Sequence, residues 1–542
     1  MPTATTVFVG GDLLTMNPTM PTAAALAVAD GRILTVGSRA EVEAAVRGNA
    51  EWIDLHGRTL LPGFIDAHGH FPDSGLNALY RVDLSSPPLG DCVTLSDLFD
   101  RLATKAATTA AGEWVLGALF DQTGIAERRF PTRAELDGVS RRHPILVLHA
   151  SGHAGAANTL ALCHRGGTRA TLDPVGGRFG HDPDGGAPDG LLDGIPALGA
   201  MGDTDFALDA QRFRRAFAVA AGEYLANGVT LAQNAWATAK LLPRFAAIAH
   251  AGDAEIDVMV LPAGELEPAL SAGRPGIDFP SAGRLRLGPR KLFADGAFQT
   301  RTAFLSHPYH RVRRGDPACC GHPMVAPAEF RRRFLALHEA GLQIHTHANG
   351  DAAADRVLDA LEDALDKHPR TDHRHTLIHG QTLRDDQLDR IAGLGASVSF
   401  FSAHVYFWGD RHYAEFLGPE RAARINPARS AVRRGVRFTL HNDTPVTPTR
   451  PLHLMWCAVN RLTAAGRRLG AEQCITPGEA LRAHTIDAAW QVFLEHERGS
   501  LEPGKRADLV ILSENPLHNL GGLKDIRVEE TIVAGATAYR HP

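Results

Sequence analysis

The sequence predicts an α/β protein: a parallel (β/α)8 TIM barrel carrying a small β-sandwich domain formed by both chain termini. Three observations lead there. Eight short apolar runs of strand type recur between residues 60 and 440, several separated by helical periodicity, and such alternation builds a parallel sheet. Both ends of the chain are instead rich in strands and tight turns. A length of 542 residues accommodates one barrel of ~250 residues with a companion and an insertion as readily as three or four domains of ~150 residues.

At the N-terminus, Thr6-Val-Phe-Val, Ala25-Leu-Ala-Val-Ala and Arg32-Ile-Leu-Thr-Val read as strands, the last two joined at Asp30-Gly31, a dipeptide suited to the positive φ angles of a two-residue hairpin turn. The C-terminus answers with Ala507-Asp-Leu-Val-Ile-Leu and Glu529-Glu-Thr-Ile-Val-Ala before Gly535. Residues 1–62 and 491–542 are therefore expected to share one β-sandwich, with the barrel over 63–490. The barrel strands read, in order, as 60–66, 228–233, 256–261, 290–294, 343–347, 375–379, 396–401 and 436–440. Between them, Glu329 to His338 and Ala352 to Lys367 repeat apolar residues at three and four positions, the helical spacing. An insertion at about 81–225 separates the first two strands; without it about 234 residues lie between Ile65 and Asp443, near the ~250 of a barrel. Within the insertion, 175–186 reads as a surface loop. Asp182 and Asp184 begin like a calcium loop, but the third oxygen ligand and the bidentate Glu are missing, so calcium is not expected.

Composition narrows the function. Lys and Arg number 56 against 61 Asp and Glu, a net charge of −5 without a basic run, which argues against nucleic acid and polyanionic membrane surfaces as partners. The six cysteines show no C-x-x-C pairing, no leader pattern opens the chain, and no run of ~18 apolar residues occurs. The expected setting is cytoplasmic; the oligomeric state stays open, with a homodimer as the candidate assembly. Histidine stands out, at 27 residues, and it is both the commonest metal ligand and a general acid/base near neutral pH.

Position gives those histidines meaning. Asp66-Ala-His68-Gly-His70 ends the first barrel strand, and residues two apart on a strand point to one side, so His68 and His70 can meet one ion. Lys291, His345 and His347, His379 and Asp443 fall at the ends of the fourth, fifth, sixth and eighth strands. The C-terminal rim of a barrel is where such folds gather active-site groups.

These segments resemble the amidohydrolase superfamily, within it the YtcJ-like group. The resemblance covers nearly the whole chain. It rests on Leu61-Pro-Gly-Phe-Ile-Asp-Ala-His-Gly-His, Lys291-Leu-Phe-Ala-Asp-Gly, His347-Ala-Asn-Gly-Asp, Asp443-Thr-Pro and the tail from Gly499 to Leu512. It implies a binuclear metal centre, with His68, His70 and Asp443 on one divalent ion, zinc in the first instance, and His347 and His379 on a second. Lys291, carbamylated by CO2, would bridge the two, because a protonated ammonium has no lone pair for a metal. His345 would stand one layer deeper in support. The implied reaction is hydrolysis of a non-peptide C–N bond: a divalent ion makes water acidic enough to ionise near neutral pH and polarises a carbonyl, and Asp443 takes the water proton and returns it to the leaving nitrogen.

The substrate is expected to be a small, neutral N-substituted amide or formamide, because few cations lie in the segments expected to line the pocket. His404, Tyr406 and Trp408, after the seventh strand, and His153 of Ser151-Gly-His are the candidates to touch it. Two rival functions are weighed. Deaminases of the superfamily usually carry a Glu three residues after the fifth-strand His, where this chain has Gly350. A non-catalytic scaffold should have lost its ligands, and this chain keeps them.

Overall fold

The computed structural model describes residues 5–46, 48–163, 172–174, 177–181, 186–200, 209–272, 277–280, 283–311 and 316–542. Asp182 and Asp184, of the discounted calcium loop, lie outside these residues.

Eight parallel strands form the barrel-like core: β1 (Phe64–Ile65), β2 (Val229–Ala237), β3 (Asp257–Pro262), β4 (Arg290–Phe293), β5 (Ile344–Ala348), β6 (Thr376–His379), β7 (Ser397–Phe400) and β8 (Phe438–Leu440). They pair in chain order in two runs, β1 to β3 and β4 to β8, with Leu285–Leu287 added beside β3. The runs meet where Ala263 bridges Lys291. At the other seam, the Asp443 N–H donates to the His68 carbonyl (3.2 Å) and the His70 N–H to the Thr444 carbonyl (2.7 Å). Strands covered on both faces read as continuous apolar runs, as in β3, where all six residues are buried.

The helices outside the barrel pack through one face. In Asp351–Lys367 the buried positions are Ala353, Ala354, Val357, Leu358, Ala360, Leu361 and Ala364, with Asp351 itself; full burial of each Val or Leu contributes roughly 1.5–3 kcal/mol. Asp351 in the first turn and Lys367 in the last complement the helix dipole. Gly350 precedes the helix because a Cβ there would lie 1.8 Å from the Phe304 carbonyl oxygen.

The two ends of the chain build a separate eight-stranded sheet. Leu509–Leu512 runs antiparallel to Thr59–Pro62, the strand just before β1, and Leu26, Leu60, Leu509, Ile511 and Ile532 share one apolar cluster. Asp30 and Gly31 both take positive φ (51° and 73°) at the expected turn. The C-terminal part is also tied to the barrel by charge: buried Asp257, opening β3, accepts from Arg498 and pairs with Arg506 (3.0 Å).

Between β1 and β2 the chain forms a second, six-stranded sheet from Val82–Asp83, Val115–Phe120, Ile145–His149, Ala154–Ala157, Arg178–His181 and Pro188–Asp193. Its own cluster of Leu98, Leu102, Val115, Phe120, Ile145 and Val147 gives it a core distinct from that of the barrel. Sequence reasoning assigns this insert no internal fold.

Candidate metal centre

The strands set the side chains in layers. Lys291 lies opposite His345, and Phe293 opposite His347, across the β4–β5 ladder; Ala348 lies opposite His379 across β5–β6. Alternation along β5 turns His345 and His347 to the same side, one layer apart. His379 (φ 76°) and Asp443 (φ 54°) sit in the left-handed region, a conformation that costs non-glycine residues of order 1–3 kcal/mol and that clusters at functional sites.

His68, His379 and Asp443 converge: one ligand-type atom from each lies within 4.8 Å of the others, and all three residues are buried. Asp443 Oδ1 stands 3.5 Å from His68 Nε2 and 3.2 Å from His70 Nε2, yet it is buried without an aligned hydrogen bond. An orphaned carboxylate oxygen facing imidazole nitrogens suits a divalent cation, and carboxylate with imidazole is a common donor set for zinc. Burial works to raise the Asp443 pKa, but His70 foremost, then His441 and Lys291, outweigh it and hold the carboxyl well below the usual range.

This geometry corrects the expectation of a binuclear centre bridged by carbamylated Lys291. Among the described residues the converging set is mononuclear, His–His–Asp, and Lys291 is not in it. The Lys291 Nζ stands 3.2 Å from His68 Nε2 and 5.0 Å above the Phe293 ring; burial pulls its pKa down to about 7. His347 is outside the converging set and meets it through His379, with Nδ1 against His379 Nε2 (3.0 Å) and Nε2 against the Gly296 carbonyl (3.0 Å). Spacing along strands places these groups on the right rungs without fixing the partner each nitrogen takes.

His345, one layer below, is fully buried with neither ring nitrogen hydrogen-bonded, and burial pushes its pKa down to about 3. His441 is a site residue that sequence reasoning passes over. Its ring packs 5.1 Å from that of His68, Nε2 meets His379 Nδ1 (3.1 Å) and Nδ1 meets Ser399 Oγ (2.8 Å). The available signal is its place in Leu440-His-Asn-Asp, two residues before Asp443. Asp295 is a second: its carboxylate accepts the backbone N–H groups of Phe304, Asn349 and Gly350 (2.8–2.9 Å), fixing the turn after β5.

A cavity of about 280 Å³ opens over this centre, reached by His68, His70, Lys291, His347, His379 and Asp443. Two of the four expected contact residues line it, His153 and His404. His153 packs 5.0 Å from the His347 ring, its Nδ1 has no hydrogen-bond partner, and burial lowers its pKa to about 3. The other two lie elsewhere. Trp408 is buried and its indole N–H donates to Asp121 (2.8 Å); Tyr406 packs on His453 and Trp456 and faces a different cavity. Apolar wall comes from Trp236 and Phe293 of the barrel, stacked edge to face at 5.4 Å, and from Leu119, Leu148, Ile195 and Leu198 of the insert.

A cation-suited His–His–Asp cluster at the rim of a barrel defines a metal-dependent hydrolase. The amidohydrolase family profile matches residues 51–539, and the chain belongs to that family, whose enzymes act on carbon–nitrogen bonds. It is 31% identical to the N-substituted formamide deformylase of Arthrobacter pascens over 98% of both chains. It is 29% identical to the protein LONG AFTER FAR-RED 3 of Arabidopsis thaliana, over 98% of this chain and 90% of that one. An uncharacterised metal-dependent hydrolase from Pyrococcus horikoshii OT3 has the same fold, with a TM-score of 0.74 at 23% identity over 99% of this chain and 100% of that one. No helix among the described residues is long and apolar enough to cross a membrane.

Proposed function

We propose that the protein hydrolyses the amide bond of a small, neutral N-substituted amide, with N-substituted formamides the leading class. The observation that carries this reading is the orphaned Asp443 oxygen, set beside His68 and His379 at the floor of a cavity whose wall mixes the apolar Trp236, Phe293, Leu148 and Leu198 with Asp73, Asn77, Arg81 and Gln299. Similarity to a formamide deformylase along almost the whole chain supports the choice of acyl group.

His68, His379 and Asp443 would hold a divalent ion, with His70 beside them. When bound, such an ion supplies Lewis-acid polarisation of a carbonyl and acidifies water. Asp443, held ionised, would take the proton of the attacking water and return it to the departing nitrogen; an amine leaves far more readily than its anion. His153 and His404 are neutral imidazoles at the cavity wall, since burial lowers both to about 3. Each can face the nitrogen substituent without adding charge. Trp236, Phe293, Leu148 and Leu198 would receive that substituent and keep bulk water from the reacting bond.

The test is a hydrolysis screen of metal-loaded protein across N-substituted formamides, acetamides, carbamates, lactams and cyclic amidines. Release of formate with a primary amine is the expected result. Release of ammonia from amidines, with no amide turned over, would instead make the enzyme a deaminase.

A further inference from the structure

The insert carries a fastening that none of the site chemistry uses. Its strand Val115–Phe120 shifts register between Gly117 and Phe120, and there Leu119, with φ of 65°, lines the cavity. Asp121 follows, 3% exposed. Its Oδ2 accepts from the Trp408 indole N–H (2.8 Å) and from Arg411 Nη1 (2.9 Å), both on the loop after β7. Its Oδ1 accepts from the Thr123 backbone N–H (2.8 Å) and hydroxyl (2.6 Å). On the far side stands His149. The Ser151 N–H donates to His149 Nδ1 (3.0 Å), so the ring proton lies on Nε2, which faces Asp121 Oδ1 at 3.8 Å. Nearby, Arg128 of the insert meets both carboxylate oxygens of Glu415 at 2.6 Å, a second tie between the same two segments.

One buried carboxylate thus bonds the loop that carries His404 and stands against His149, while the Phe120 carbonyl beside it accepts the Ala150 N–H (2.7 Å) of the segment that carries His149, Ser151 and His153, three residues of the cavity wall. A desolvated ion pair of this kind is sensitive to loss of either partner, because the charge left behind stays buried. We infer that Asp121 is a positioning residue that holds the insert-borne wall against the β7 loop and thereby sets the affinity for the substrate's nitrogen substituent, leaving the chemical step to the barrel. The kinetic part of this inference rests on the amide-hydrolase reading; the structural part does not.

The test uses full-length, metal-loaded protein. Hydrogen exchange read by mass spectrometry is expected to quicken about tenfold or more over 119–124 and 146–153 in Asp121→Ala, with 344–348 and 376–379 unchanged, the mark of local opening. Trp408→Phe removes a single donor and should quicken the same two segments to a lesser degree. In kinetics, KM for a formamide with a bulky arylalkyl substituent should rise about tenfold with kcat within threefold, while KM for N-methylformamide stays within twofold, the pattern of lost uniform binding. Asp121→Asn, which still accepts from Trp408 but carries no charge, should fall between wild type and Asp121→Ala. Wild-type exchange in both Asp121→Ala and Trp408→Phe, or equal quickening throughout the barrel, would overturn the positioning role, as would a fall in kcat with KM unmoved. If wild type cleaves no amide, the substrate reading fails, and the exchange data still decide the role of Asp121.

Discussion

Asp443 and His68 are joined twice: the Asp443 backbone N–H donates to the His68 carbonyl (3.2 Å), and its carboxylate faces the His68 imidazole at 3.5 Å. The seam between the last and first barrel strands and two corners of the His–His–Asp cluster are therefore one contact. Anything that opens the barrel at this seam also separates the groups that would hold the ion.

One divalent ion per chain is the expected stoichiometry by elemental analysis of protein purified without chelator, since a single cluster converges. His379→Ala should lose that ion. Thermal stability should rise on adding metal to stripped wild type, by ~2.7 kcal/mol at a hundredfold excess over Kd, and should not respond in the variant. Two ions per chain would contradict a mononuclear site.

Asp443→Asn keeps size and shape while removing the base. Its kcat at saturating metal should fall by roughly 10²- to 10⁴-fold, the usual span for a general acid/base, with far-ultraviolet circular dichroism unchanged. A variant with near-normal kcat would remove Asp443 from the proton transfer.

Acid should loosen the fold through histidines buried neutral. Burial lowers both His453 and His484 to about 4, against ~6.5 in an unfolded chain. Between those values the unfolded state binds the extra proton, so the stabilisation is complete above about pH 6.5. It is lost on acidification at up to ~1.4 kcal/mol per pH unit for each histidine. Urea midpoints for wild type should fall steeply from pH 7 to 5. His484→Phe, which keeps a ring beside Phe64, should fall less; an identical slope in the variant would show that His484 does not contribute.

Gly350→Ala tests the packing at the start of the helix Asp351–Lys367. The added methyl meets the Phe304 carbonyl oxygen at 1.8 Å, backbone that cannot swing aside, so a loss of about 1–3 kcal/mol is expected. The unfolding midpoint measures it, and an unchanged midpoint would mean that the 304 loop yields freely.

Much of this was legible in the amino-acid order, for physical reasons. Strands buried on both faces write themselves as apolar runs, which is why Val258 to Leu261 of β3 stands out. Ligand-type residues at strand ends mark the rim, so His68, His379 and Asp443 could be named. What linear order does not carry is the orientation of a side chain toward a partner far along the chain. Trp408 reads as a cavity aromatic, yet its indole bonds a carboxylate 287 residues away. Lys291 reads as a bridge between ions, yet its amine rests on His68. His441 hides because its importance lies in rings brought beside it by β1 and β6.

The pairing of Leu509–Leu512 with Thr59–Pro62 also sets a timetable. During synthesis, the strand that leads into β1 must wait for about 450 further residues before its neighbour exists, on the order of half a minute or more at 5–20 residues per second. Through that interval its edge is open to any passing chain. The insert has an apolar cluster of its own, whereas the support beneath the first ligand strand is complete only once Leu509–Leu512 has been made.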